Sequence, residues 1–222
     1  MKKTITLTLL LVFTIRIGCN NPDSTNMNLH LAKANNDMFN LLLLNTGFKP
    51  SEYSKKDYHK IWFYDVAKKN IKNCHIDDFM AGVVQLCNEF HFTPNDFMAV
   101  AYTESTFHET VKHKKSSAKG IMQMTADKGV IPKSGVAQLP MIKEYLHEVE
   151  RTRKVKLANW ADLKFAIYYP VALECTDNCI LFTKSKHPNT YAMNIPMDVN
   201  KDGIVTKNEV KMLTRKKLKP YI

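Results

Sequence analysis

From residue 27 onward, apolar residues recur at three- and four-residue steps, the spacing that lines one face of an α-helix. The pattern predicts helices over 27–45, 52–70, 77–90, 94–107, 138–154 and 160–174. Alternating Val, Ile and aromatic runs, the mark of half-buried strands, are scarce. The body from 27 to 190 is therefore expected to be a mainly α domain without internal repeats. His113-Lys114-Lys115-Ser116-Ser117 reads as a polar loop, and Lys184 to Pro196 as an irregular connection broken by Pro188 and Pro196. The clearest helix start is Thr93-Pro94-Asn95-Asp96: Thr caps, Pro suits the first helical position, and Asp96 meets the positive end of the helix dipole.

The N-terminus follows a different pattern. Met1-Lys2-Lys3 precedes the mostly apolar stretch Thr4 to Ile15, a secretory signal and not a membrane span, which needs roughly 20 residues. Ile17-Gly18-Cys19 resembles the end of a bacterial lipoprotein signal, although Arg16 stands where such signals usually carry Leu. That resemblance implies a signal peptide over 1–18, a lipid on Cys19 and a tether over 19–26. The alternative is ordinary cleavage that leaves Cys19 unmodified. Either way the chain is expected in the cell envelope: a lipoprotein facing the periplasm, or otherwise a periplasmic or secreted protein. No later segment is long and apolar enough to cross a bilayer, so membrane contact is expected through the anchor alone.

Composition narrows the partner. At 45% hydrophobic and 24% charged over 222 residues, the chain is neither collagen-like nor wholly disordered. Lys and Arg outnumber Asp and Glu by 32 to 21, which points toward polyanions. Loss of residues 1–18 removes Lys2, Lys3 and Arg16 and no acids, lowering the surplus from +11 to +8. On an exported chain the polyanion is expected to be cell wall, not nucleic acid. Cys74, Cys87, Cys175 and Cys179 would then form two disulfides, with three connectivities open, against the alternatives of a zinc site or free buried thiols.

Within the helix that starts at Thr93, Phe97, Val100, Ala101, Glu104 and Phe107 share one face. Glu104 is thus an acid inside an apolar stripe. There, desolvation would favour the protonated carboxyl that a general acid needs. The alternative is a boundary glutamate whose head reaches water.

The residues around Glu104 decide between these readings. Glu104-Ser105-Thr106-Phe107 is followed, sixteen residues from Glu104 to Gly120, by Ser116-Ser117-Ala118-Lys119-Gly120-Ile121-Met122-Gln123-Met124. In that order the two boxes resemble the soluble lytic transglycosylase family, whose lysozyme-like fold is shared with goose-type lysozymes. The resemblance covers 95–173, within a motif-bearing core of 94–173, and follows the variant found in phage-associated and mobile-element members. It implies that Glu104 is the catalytic acid and base, with Ser105 its polar neighbour. Gly120 would let chain and sugar approach closely, and Met122 and Gln123 would line the cleft; core packing is the other reading of Met122 and Met124. Many members also carry an Ala-Tyr-Asn-x-Gly segment whose Tyr holds the Glu. This chain has Asp162-Leu163-Lys164-Phe165-Ala166-Ile167-Tyr168-Tyr169-Pro170-Val171-Ala172 instead, so the phenol is expected from Tyr169, with Tyr168 the alternative.

The activity implied is non-hydrolytic cleavage of the MurNAc–GlcNAc bond of peptidoglycan to 1,6-anhydromuramyl products, with no catalytic cofactor. Asp127, Glu109 and Glu144 read as solvated, so no second catalytic carboxylate is expected. The rival readings are a hydrolytic goose-type lysozyme and a non-catalytic peptidoglycan-binding or scaffolding protein. Envelope-spanning secretion or conjugation machinery is a further expected partner.

A second motif closes the chain. Asp198 to Glu209 fits the twelve-residue EF-hand calcium loop: Asp198, Asn200 and Asp202 supply side-chain oxygens, and Gly203 allows the turn. Ile204 offers its carbonyl, Thr206 holds the ninth position, and Glu209 closes the loop. An Asp/Asn-rich surface turn is the alternative. Residues 191–222 are accordingly expected to form a structural calcium loop and a C-terminal helix, the latter over Asn208 to Lys219.

Overall fold

The cap expected at Thr93 is present, and Asp96 completes it as a capping box. Thr93 Oγ1 accepts from the Asp96 amide (3.2 Å), and the Thr93 amide donates to Asp96 Oδ2 (2.8 Å). A computed structural model describes residues 53–218 apart from 115 and 126–128. The signal peptide over 1–18, Cys19, the 19–26 tether and the helix expected over 27–45 lie outside the described residues.

The protein is mainly α, as the periodicity predicts. A 3-10 turn at Lys55–Lys60 leads to α1 (Tyr64–Asn70), α2 (Ile76–Asn88), α3 (Pro94–Ser105), α4 (Gly135–Arg153) and α5 (Trp160–Tyr168). Then come a 3-10 turn at Pro170–Glu174, β1 (Ile180–Thr183), α6 (Pro188–Asn194), a 3-10 turn at Ile195–Met197, β2 (Ile204–Thr206) and α7 (Lys207–Leu218). The helix expected over 52–70 is split because Phe63 takes a left-handed conformation (φ 62°). The one expected over 160–174 stops at Pro170, which cannot donate the next helical hydrogen bond.

α3 packs on α2 and α5, and α4 covers α2. The shared core holds Phe79, Phe97, Phe107, Met98 and Leu163 with almost no exposure. Phe107 reaches it differently from expected: α3 ends at Ser105, and Thr106 and Phe107 are both left-handed (φ 53° and 62°). The chain therefore turns sharply just after Glu104.

One expectation is corrected. Pro188 does not break a connection but opens α6, since its fixed φ suits a first helical position. β1 pairs antiparallel with β2, matching Phe182 to Val205, and a second core of Phe165, Leu181, Phe182, Val205 and Val210 forms between α5 and the C-terminal segment. The described residues on both sides of 190/191 belong to one compact unit. Cys74, Cys87, Cys175 and Cys179 are free thiols in this structure, and Cys175 and Cys179 lie within hydrogen-bonding reach of each other. α2 runs between Cys74 and Cys87 and, at 1.5 Å per residue, separates them by roughly 20 Å, beyond the reach of a disulfide. Burial pushes the Cys87 thiol well above its usual range.

Candidate active site

Glu104 sits on the last turn of α3, immediately before the left-handed pair that ends it, and its side chain is 13% exposed. It lines an open cleft of about 420 Å³ together with Val111, Lys112, His113, Lys114, Gln123 and Met193. One wall is a hairpin-like excursion. Lys119 bridges to both Lys112 and Met124, the His113 amide donates to the Ala118 carbonyl (2.8 Å), and the Gly120 amide to the Val111 carbonyl (3.0 Å). The loop read as polar and basic is thereby folded back so that Lys112, His113 and Lys114 face Glu104. Met193, on α6, supplies the other wall, so the segment ahead of the acidic loop helps to shape the cleft.

Of the five residues expected to contact substrate, Gln123 lines this cleft and the other four are not among its lining residues. Gln123 is left-handed (φ 49°), and its Nε2 donates to the Gly120 carbonyl (2.9 Å) and the Val111 carbonyl (3.2 Å), which holds the cleft wall. Met122 is fully buried in the core and cannot touch a ligand, which corrects that expectation. Gly120 has φ +82°, and the direction a Cβ would take is filled by Gln138 Oε1, a close approach of the chain. Ser105 is buried, and its Oγ donates to the Ile121 carbonyl (2.9 Å), fastening the first motif box to the second across 16 residues. Tyr169 packs edge-on against Phe182 (5.0 Å between ring centres) in the second core.

Sequence reasoning missed the side chain that does hold Glu104. Lys164, from α5, donates through Nζ to Glu104 Oε1 (2.6 Å), and its own side chain is 9% exposed. The ammonium lies over the Tyr168 ring, 5.4 Å from its centre, and the Tyr168 hydroxyl donates to Asn194 Oδ1 on α6 (2.9 Å). Burial and the neighbouring Glu104 charge push the Tyr168 phenol above its usual range, which keeps it a hydrogen-bond donor. The available signal was a charged residue inside the apolar run Leu163-Lys164-Phe165-Ala166-Ile167.

Glu109 is the other surprise. It is not solvated but 3% exposed. Its Oε2 accepts from the amides of Lys72 and Asn73 (both 2.7 Å) and from Asn73 Nδ2 (3.0 Å), and its Oε1 from the Gly135 amide (2.6 Å). It therefore caps α4 from outside that helix, where Ser134 makes no side-chain cap. Gln138 completes the support: its Nε2 donates to the Glu109 carbonyl (2.7 Å), and its Oε1 accepts from the Ile121 amide (2.8 Å).

The loop from Asp198 to Glu209 is turned by left-handed Lys201 and Gly203 (φ 63° and 84°). Asp198 Oδ2 accepts from the Gly203 amide (2.9 Å) and from the Tyr191 hydroxyl, which holds its carboxyl below the usual range. Glu209 Oε1 accepts from the Val199 amide (3.0 Å), and its Oε2 from the Thr206 amide and hydroxyl (both 2.9 Å). Both carboxylates are buried and hydrogen-bond only to amides and hydroxyls. Among the described residues no three His, Cys, Asp or Glu side chains are gathered closely enough to hold a metal by themselves. Asn200, Thr206 and the Ile204 carbonyl are oxygen donors outside that class, and with Asp198, Asp202 and Glu209 they are of the chemical kind that calcium takes. No protein-family model and no curated protein sequence matches the chain.

Proposed function

We propose that the chain is a peptidoglycan lytic transglycosylase of lysozyme-like fold, with Glu104 as general acid and then general base. The observation that carries this reading is convergence: Glu104 from the first motif box and Gln123 from the second line one cleft, and the Ser105–Ile121 hydrogen bond fastens the two boxes together. Glu104 gives its proton to the oxygen that links N-acetylmuramic acid to N-acetylglucosamine as the C1–O bond breaks, with the muramyl acetamido group assisting departure. The Glu104 carboxylate then takes the proton of the muramyl 6-hydroxyl as that oxygen closes on C1. No water is consumed.

Among the described residues that line the cleft, Glu104 is the single acid. Hydrolytic glycosidases normally use two carboxylates, so this lining favours the one-carboxylate route over the goose-type hydrolase. Lys112 and Lys114 give the cleft a positive wall suited to an anionic glycan carrying lactyl and peptide carboxylates. The loop from Asp198 to Glu209 is read as a structural calcium site that steadies α6 and with it the Met193 wall.

Digestion of purified sacculi by wild type and Glu104→Gln, followed by mass spectrometry, tests the reading. Anhydromuropeptides from wild type alone are expected. Reducing ends in their place would favour the hydrolase, and binding without release by both proteins would overturn the enzyme reading.

A further inference from the structure

Lys164 stands in the middle of an apolar helix, and the cost of burying its ammonium is offset by the face of Tyr168 and, whenever Glu104 is ionised, by Glu104 Oε1 at 2.6 Å. Building on the acid–base reading of Glu104, we infer that Lys164 is the positioning residue of the catalytic carboxyl, in the role that the family resemblance gives to a tyrosine phenol. Neither tyrosine competes for that role. The Tyr168 hydroxyl is committed to Asn194, and the Tyr169 ring lies against Phe182.

The contact does two things for the proposed chemistry. First, it fixes which oxygen reacts. With Oε1 gripped by Lys164, the proton is carried and delivered by Oε2, which no hydrogen bond from a described residue occupies. Second, it places a cation where negative charge develops. As the proton passes from Glu104 to the glycosidic oxygen, the carboxylate that forms already has an ammonium against it, so little reorganisation accompanies the step. When the carboxylate later recovers a proton from the 6-hydroxyl, the same bond holds it in place. Lys164 neither gains nor loses a proton at any stage. Its influence passes entirely through Glu104.

A purely structural ion pair would affect folding and leave turnover of the folded fraction alone. The two roles are separated by kcat and KM on solubilised glycan strands, measured for Lys164→Met, Lys164→Gln and the Glu104→Gln/Lys164→Met double variant, with circular dichroism to fix the folded concentration. Lys164→Met is expected to lose about 10²-fold in kcat with KM changed less than about threefold, the signature of a misplaced catalytic group. Lys164→Gln keeps an N–H donor without the charge and is expected to lose at least about tenfold. The double variant is expected to be no slower than Glu104→Gln alone, since the lysine acts only through the carboxyl. Should Lys164→Met not fold, Lys164→Gln decides in the same way. A kcat within about threefold of wild type in either folded variant, or a further loss in the double variant, overturns the inference while leaving Glu104 in its role. An inactive wild type overturns both.

Discussion

Replacing Glu109 by Gln changes one atom and should nonetheless be among the more damaging substitutions in the domain. Both carboxylate oxygens are occupied: Oε2 by two backbone amides and the Asn73 side chain, Oε1 by the Gly135 amide at the start of α4. Glutamine keeps a single acceptor. Whichever way its amide is turned, an NH₂ faces at least one backbone N–H at a distance set for an acceptor. The side chain is 3% exposed, so water does not enter to replace the lost partner. A hydrogen bond to a charged group contributes about 1.5–3 kcal/mol, and a buried donor left unsatisfied costs about 1–3 kcal/mol. Loss of the Gly135 bond alone therefore costs at least about 1 kcal/mol and centrally about 2 kcal/mol, and loss of the Lys72 and Asn73 bonds carries the cost to about 4 kcal/mol. The assay is urea unfolding followed by far-ultraviolet circular dichroism, extrapolated linearly to water. A solvated glutamate predicts a change within ±0.5 kcal/mol on the same substitution. A loss below about 1 kcal/mol for Glu109→Gln would refute the burial argument and with it the picture of α4 capped from outside.

Two further outcomes follow from the same geometry. Gly120→Ala should lower stability by about 2 kcal/mol or more, read by thermal unfolding, because φ +82° is strained for a side chain and the new Cβ would collide with a Gln138 oxygen pinned by the Ile121 amide. An unchanged melting temperature would contradict it. Calcium at about 100 times its dissociation constant should add about 2.7 kcal/mol of stability, a rise of roughly 5–10 °C in Tm that a chelator reverses and Glu209→Gln abolishes. Equal Tm with calcium and with chelator would remove the calcium reading of the loop.

The features legible in the sequence are those whose partners lie within one helical turn. Thr93-Pro94-Asn95-Asp96 closes its capping box across three residues, so spacing alone announces that helix start. Apolar periodicity likewise locates the helices, since a face that repeats every three or four residues has somewhere to be buried whatever covers it. What covers it is a different matter. Lys164 meets Glu104 across 60 residues, Asn73 meets Glu109 across 36, and Phe182 pairs with Val205 through a strand too short to show a period. A lone glutamate in a polar stretch and a lone lysine in an apolar one carry no mark of the partner that will satisfy them. The sequence by itself thus determined the helices and singled out Glu104. The tertiary structure alone decided that Glu104 is gripped by a lysine rather than a tyrosine, that Glu109 is buried, and that the basic loop folds over the cleft. The physical reason is that an isolated buried charge is too costly to persist, so its chemistry is set by whichever distant group the fold brings within reach.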